Sequence, residues 1–129
     1  MDDASFIHSM REEVGEKTLP IEIGYVRDVW IFSPVGRIDL DASTDLDATL
    51  EEGILQGMHR IVIDFSEVTY ISSSGLRVII KTAKALKKVQ GTFAIACLLG
   101  VVREVFVVSG FLQILACYDT VDAAVQAVG

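Results

Sequence analysis

Three consecutive serines followed by a glycine are the residues of this chain best suited to chemistry. Ser72, Ser73, Ser74 and Gly75 lie within residues 70–77. A serine hydroxyl can cap a helix, act as a nucleophile or accept a phosphoryl group. One helix start needs one capping serine. Three hydroxyls before a glycine therefore indicate a surface that another molecule contacts.

A catalytic serine needs a general base, and the chain has only two histidines, His8 and His59. No pattern connects either histidine with Ser73. The glycine-rich phosphate loops, the Cys-x-x-Cys pair and the His-Glu-x-x-His helix are also missing from the sequence. We therefore predict a protein that is not an enzyme and that uses no cofactor and no metal. A small nucleotide-binding protein or hydrolase is the least favoured alternative.

A strand and a helix must position these serines. The β-branched residues 61–63 are typical of a buried strand, and residues 64–66 favour a turn, after which we expect the chain to leave the sheet. The apolar residues that follow recur at helical spacing on one face, namely Leu76, Ile79, Ile80, Ala83 and Leu86. The serines therefore form the entrance of this helix.

The segment Tyr-Ile-Ser-Ser-Ser-Gly-Leu-Arg resembles the phosphorylation-site segment of STAS domains, in particular of the bacterial anti-sigma-factor antagonists. The family has aromatic or apolar residues before Asp-Ser-Ser-Gly-Leu, and the resemblance covers roughly residues 20–128. By position, the serine that a partner kinase phosphorylates corresponds to Ser73. Ser72 replaces the family's aspartate, so this chain lacks the negative charge beside the acceptor.

The resemblance implies a phosphorylation-switched binding module that regulates transcription. The unphosphorylated protein would sequester an anti-sigma factor that is also a serine kinase. Phosphorylation of Ser73 would release that partner, and a serine phosphatase would reset the protein. The expected partner-binding residues are Asp39, Ser72, Ser74, Gly75, Leu76 and Arg77. The alternative is a STAS scaffold or regulatory subunit of a larger signalling or transport complex without a phospho-switch.

Length and composition limit the other possibilities. A chain of 129 residues, 51% of them hydrophobic, can bury one core, so we expect one domain. Its apolar runs are much shorter than the roughly 20 residues that cross a bilayer, so we predict no membrane span. The first residues lack the pattern of a secretory signal, which predicts a cytoplasmic protein.

Charge is distributed unevenly along the chain. The net charge is -7, yet a basic cluster without any acid occupies the predicted helix, at Arg77, Lys81, Lys84, Lys87 and Lys88. Most of these side chains would form a stripe opposite the apolar face. Because the rest of the chain is strongly acidic and no aromatic platform accompanies the stripe, we predict no nucleic-acid partner.

The chain divides into an N-terminal extension, residues 1–19, and a STAS domain, residues 20–129. The extension has apolar residues at helical intervals and is expected to be a short helix or disordered. Residues 21–25 and 29–35 predict an antiparallel hairpin with a turn at residues 26–28. Gly36-Arg37-Ile38-Asp39 resembles the step that ends the second strand in STAS domains, which implies that Asp39 lies near Ser73.

Aspartates alternate along residues 39–47, which is a spacing also found in calcium loops. The required glycine and glutamate are replaced by Thr44 and Leu50, so we instead predict a helix start. Ser43 or Thr44 would cap this helix. Its expected apolar side is Leu46, Leu50, Ile54 and Leu55.

The remaining elements complete an alternating pattern. We predict a strand at residues 93–97, a short helix at 101–108, a strand at 114–118 and a final helix capped by Thr120. The predicted fold class is α/β: a STAS fold whose mixed, mostly parallel sheet has about five strands, with about four helices. A homodimer is possible if an apolar patch is exposed near Phe106 or Phe111.

Overall fold

A computed structural model describes residues 19–129, so the predicted N-terminal extension lies almost wholly outside the described residues. Strands and helices alternate along the described chain. They are β1 Ile21–Val26, β2 Val29–Pro34, β3 Gly36–Ile38, α1 Leu40–Leu55, β4 Arg60–Asp64, β5 Val68–Ile71, α2 Ser73–Lys88, β6 Thr92–Ala96, α3 Gly100–Ser109, β7 Cys117–Tyr118 and α4 Val121–Val128.

The main sheet has five strands in the order β1-β2-β4-β6-β7. β1 and β2 are antiparallel, and all other neighbours in this sheet are parallel. This confirms the predicted α/β fold class, including the mixed, mostly parallel sheet and the four helices, all counted within residues 19–129. The hairpin turn consists of Arg27 and Asp28, both with positive φ, which suits a two-residue type I′ turn. β1 therefore continues one residue further than predicted.

The sheet separates two apolar cores. The larger core lies under α1, α2 and α3, and the smaller core lies under α4. Phe32 is fully buried in the larger core and Trp30 packs against it, whereas Ile31 packs against the smaller one. The two-residue period of β2 predicted this division. Three helices are thereby fixed on the face that carries the serines.

β3 and β5 form a separate two-stranded parallel sheet. The prediction that no further strand follows residues 64–66 before the helix is therefore wrong, because β5 lies between them. The Gly36 N–H donates to the Glu67 carbonyl oxygen at 2.9 Å, and this bond joins the two short strands. Ile38, Val68 and Ile71 are their buried residues, and Ile38 and Ile71 lie beneath the start of α2. The small sheet is the platform for the serine segment.

The start of α1 differs from the prediction. Asp39 is the N-cap, and its carboxylate accepts from the Ala42 N–H at 2.9 Å. The hydroxyls of Ser43 and Thr44 donate instead to the carbonyl oxygen of Leu40. Their predicted capping role is wrong because both residues lie inside the first turns, where a hydroxyl can reach a preceding carbonyl.

The predictions for the end of α1 and for the last strand are also partly wrong. Leu55 is 79% exposed and does not belong to the apolar side of α1. The predicted strand at residues 114–118 is only Cys117–Tyr118, because a 3-10 turn precedes it and Ile114 is exposed. The short helix before this turn is confirmed, and so is the Thr120 cap of α4.

Candidate functional site

The serine segment connects the small sheet to α2. β5 ends at Ile71 and α2 begins at Ser73. The Ser72 N–H donates to the carbonyl oxygen of Ile38 at 2.9 Å, and Asp39 follows directly in the chain. The start of α2 is therefore joined to the start of α1. This places Asp39 and the serines at the same edge of the molecule, as the sequence predicts.

Two of the three serine hydroxyls are held by hydrogen bonds. The Ser72 Oγ accepts from the Gly75 N–H at 3.2 Å, which makes Ser72 the N-cap of α2. The Oγ atoms of Ser72 and Ser74 are 2.9 Å apart. The Ser74 Oγ is also 3.1 Å from the Oγ of Ser43, which is buried on α1 and donates to Leu40. A chain of hydroxyls thus ties the two helix starts together.

Ser73 differs from its two neighbours. Its side chain is exposed, whereas Ser72 and Ser74 are half-buried. Within residues 19–129, the Ser73 hydroxyl forms no hydrogen bond, while the hydroxyls on both sides belong to the chain described above. The geometry therefore leaves one of the three hydroxyls accessible to a modifying enzyme.

Gly75 and Leu76 face the interior. A Cβ at Gly75 would lie 2.7 Å from the Ile71 Cγ1 and 3.0 Å from the Ile38 Cγ2, so only glycine allows α2 to pack this closely on the small sheet. Leu76 is 8% exposed and belongs to the larger core. The resemblance to STAS domains predicts that both residues contact the partner. Their positions suit a different task, which is to seat the helix that presents Ser73.

The outer face of α2 is basic, as predicted. Arg77, Lys84, Lys87 and Lys88 are exposed. Lys81 donates from Nζ to the Asp47 Oδ2 at 3.0 Å, and this hydrogen bond raises the pKa of Lys81. Arg77 is the basic residue nearest to Ser73 along the helix.

Sequence reasoning missed two features of the site. Leu40 is 68% exposed immediately after Asp39, which gives this edge an apolar residue. The Arg37 guanidinium lies 4.2 Å from the ring centre of Tyr70 on the neighbouring strand of the small sheet. Residue type alone gives no signal for the contact of Arg37 with Tyr70, because it depends on pairing between segments far apart in the chain.

The other candidate chemical groups of the sequence, a histidine and the alternating aspartates, lie outside the serine segment. His59 directly precedes the first residue of β4. Its Nε2 is 3.2 Å from the carbonyl oxygen of Ile54. The alternating aspartates belong to α1 and its cap, where Asp45 accepts from the Leu19 N–H and Asp47 pairs with Lys81. Residues 19–129 contain no cluster of three potential metal ligands. In the same range, no helix has the length and hydropathy to span a membrane.

Comparison with known proteins identifies the family. The STAS domain model matches residues 21–124. This chain belongs to the STAS domain family. A relative in Bordetella bronchiseptica, BtrV, is named as an anti-sigma factor antagonist. It is 39% identical over 92 residues, which are 71% of this chain and 79% of that protein.

Solved STAS structures have the same fold. A Thermotoga maritima protein, also named as an anti-sigma factor antagonist, is 25% identical, with a TM-score of 0.79 over 84% of this chain and 93% of its own. The Bacillus protein SpoIIAA in its phosphorylated form is 22% identical, with a TM-score of 0.67 over 84% and 99% of the two chains. At that identity, the likeness to SpoIIAA concerns the fold alone.

Proposed function

We propose that this STAS protein is an anti-sigma factor antagonist that is switched by phosphorylation of Ser73. In the unmodified state it binds and sequesters an anti-sigma factor that is also a serine kinase, in the cytoplasm. One observation supports the choice of residue: among the three adjacent serines, Ser73 alone is exposed with its hydroxyl outside the hydrogen-bonded chain. The named role of BtrV supports the class of partner.

The kinase supplies the catalysis in this proposal. The Ser73 Oγ attacks the γ-phosphorus of ATP, its proton passes to a base of the kinase, and ADP leaves. Ser72 and Ser74 are poorer acceptors because their hydroxyls are half-buried and bonded to each other. This chain therefore contributes a positioned hydroxyl, and no catalytic group of its own is required.

Phosphorylation changes binding rather than folding. It adds nearly two negative charges and three acceptor oxygens at Ser73. A helix N-terminus favours an anion, so the domain itself tolerates the group. A partner packed over the small serine edge would have to accommodate the added bulk and desolvate the charge, and it would therefore dissociate. A serine phosphatase restores the binding form.

Mass spectrometry of the intact protein tests the switch. The protein is incubated with ATP and the serine kinase encoded nearest to its gene. We expect the wild type to gain the mass of one phosphoryl group and Ser73→Ala to gain none. Ser74→Ala is the matched control, and it should still be modified.

Two results would contradict the assignment. If Ser73→Ala is modified as fully as the wild type, the acceptor is a different residue. If the wild type binds the kinase but never gains phosphate, the chain is a STAS scaffold or regulatory subunit in which Ser73 is only part of a helix start.

A further inference from the structure

The basic residue closest to Ser73 on α2 is placed to reach it. Arg77 follows Ser73 by four positions, and both side chains are exposed. Residues four apart are neighbours on one helix face. Long side chains in a helix also lean toward its N-terminus, so we expect the Arg77 side chain to lie over the turn that contains Ser73.

Arg77 is not neutralised by its surroundings. Within the described residues, the guanidinium forms no ion pair, whereas Lys81, one turn further along, is engaged with Asp47. The first turn of α2 contains no acidic residue. The guanidinium is therefore available to an anion that arrives beside it.

We propose that Arg77 holds the phosphate of phosphorylated Ser73 and that this capture is part of the switch. This inference rests on the proposed function only for the identity of the modified residue. A guanidinium can donate two parallel hydrogen bonds to phosphate oxygens, which an ammonium group cannot do. In the unmodified protein, the same donors face solvent and can bind a carboxylate of the partner. Phosphorylation withdraws them, so the partner loses a cationic contact and also meets a new anion.

Protein carrying phosphoserine at position 73, introduced during translation, allows a test without any kinase. The second ionisation of the phosphate is followed by 31P NMR as a function of pH. An Arg77 contact stabilises the dianion and lowers its pKa, so Arg77→Gln should raise the titration midpoint by about half a pH unit. Arg77→Lys should give an intermediate value.

Lys84→Gln is the matched control, because it removes the same charge from an exposed position of the same helix, eleven residues from Ser73. Its midpoint should stay close to that of the Arg77 protein. Equal midpoints for Arg77 and Arg77→Gln, or equal shifts for Arg77→Gln and Lys84→Gln, would overturn the inference. Because the phosphate is introduced directly, either result is independent of whether the partner kinase modifies Ser73.

Discussion

α2 and α4 begin with the same kind of cap, but the turns that follow differ. Ser72 accepts from the Gly75 N–H at 3.2 Å, and Thr120 accepts from the Ala123 N–H at 3.1 Å. α4 then has an acid in its first turn, Asp122. α2 has no acid there.

The two helix starts also differ in packing. The third residue of α4 is exposed, whereas the third residue of α2 is Gly75, which is pressed against the small sheet. α4 therefore starts in the way that stability alone would favour. α2 combines close packing of Gly75 on the small sheet with an exposed Ser73 hydroxyl and with the Arg77 guanidinium, which has no ion pair among residues 19–129. The residues beyond the cap, rather than the cap itself, distinguish the helix start that we propose as the functional site from the start of α4.

Substitutions at the third residue of each helix should give the largest difference in unfolding free energy between α2 and α4. Gly75→Ala brings a Cβ to 2.7 Å from the Ile71 Cγ1, and overpacking of this kind should lower the free energy of unfolding by about 1–3 kcal/mol. Ala123→Gly, at the matching exposed position of α4, should cost less than about 1 kcal/mol. Urea denaturation measures both. If Gly75→Ala leaves the free energy of unfolding unchanged, the close packing of Gly75 does not distinguish the start of α2 from that of α4.

Removal of the caps should give a smaller contrast. Thr120→Ala should cost about 1 kcal/mol of unfolding free energy. Ser72→Ala should cost up to about 2 kcal/mol, because it also breaks the hydroxyl chain through Ser74 to buried Ser43. The same urea titrations compare the two variants. Equal losses would mean that the hydroxyl chain adds no stability beyond an ordinary cap.

Removal of a negative charge from the first turn of α4 and addition of one to the first turn of α2 should change stability in opposite directions. Asp122→Asn should lower the free energy of unfolding by about 0.5 kcal/mol, and Ser73→Asp should raise it by a similar amount, because each changes the negative charge near a helix N-terminus. Thermal unfolding at low and high salt checks this, since salt should reduce both effects. A loss of stability in Ser73→Asp would contradict the account of a tolerated anion.

The smallest effect should come from the proposed acceptor itself. Ser73→Ala removes an exposed hydroxyl that has no hydrogen bond within the described residues, so the free energy of unfolding should change by less than about 0.5 kcal/mol. Ser74→Ala is the internal control and should cost more, because its hydroxyl contacts Ser72 and Ser43. A large loss in Ser73→Ala would indicate a structural role.

Local pattern was sufficient to predict much of the fold. The β-branched run of β4, the apolar face of α2 and the alternation in β2 each predicted an element and its buried side. The Thr120 cap was also predicted correctly. In these segments the residue type and the helical or strand period agree, so tertiary contacts only reinforce the local preference.

The errors occur where distant contacts decide the structure. β5 exists because it pairs with β3, more than thirty residues earlier in the chain. The sequence predicts the close approach of a partner at Gly75, but the side chains packed against it are the protein's own Ile38 and Ile71. The availability of Ser73 likewise depends on the bonds of its neighbours, including the bond to Ser43. None of these contacts leaves a periodic signal in one sequence.

Binding of the partner to two forms of this protein tests the central claim most directly. The anti-sigma kinase is titrated by calorimetry with unmodified protein and with protein carrying phosphoserine at position 73. Disruption of an interface centre typically costs at least about 2 kcal/mol, so we predict that phosphorylation raises the Kd by about thirtyfold or more. Equal Kd values for the two forms would contradict the proposal that Ser73 controls this interface.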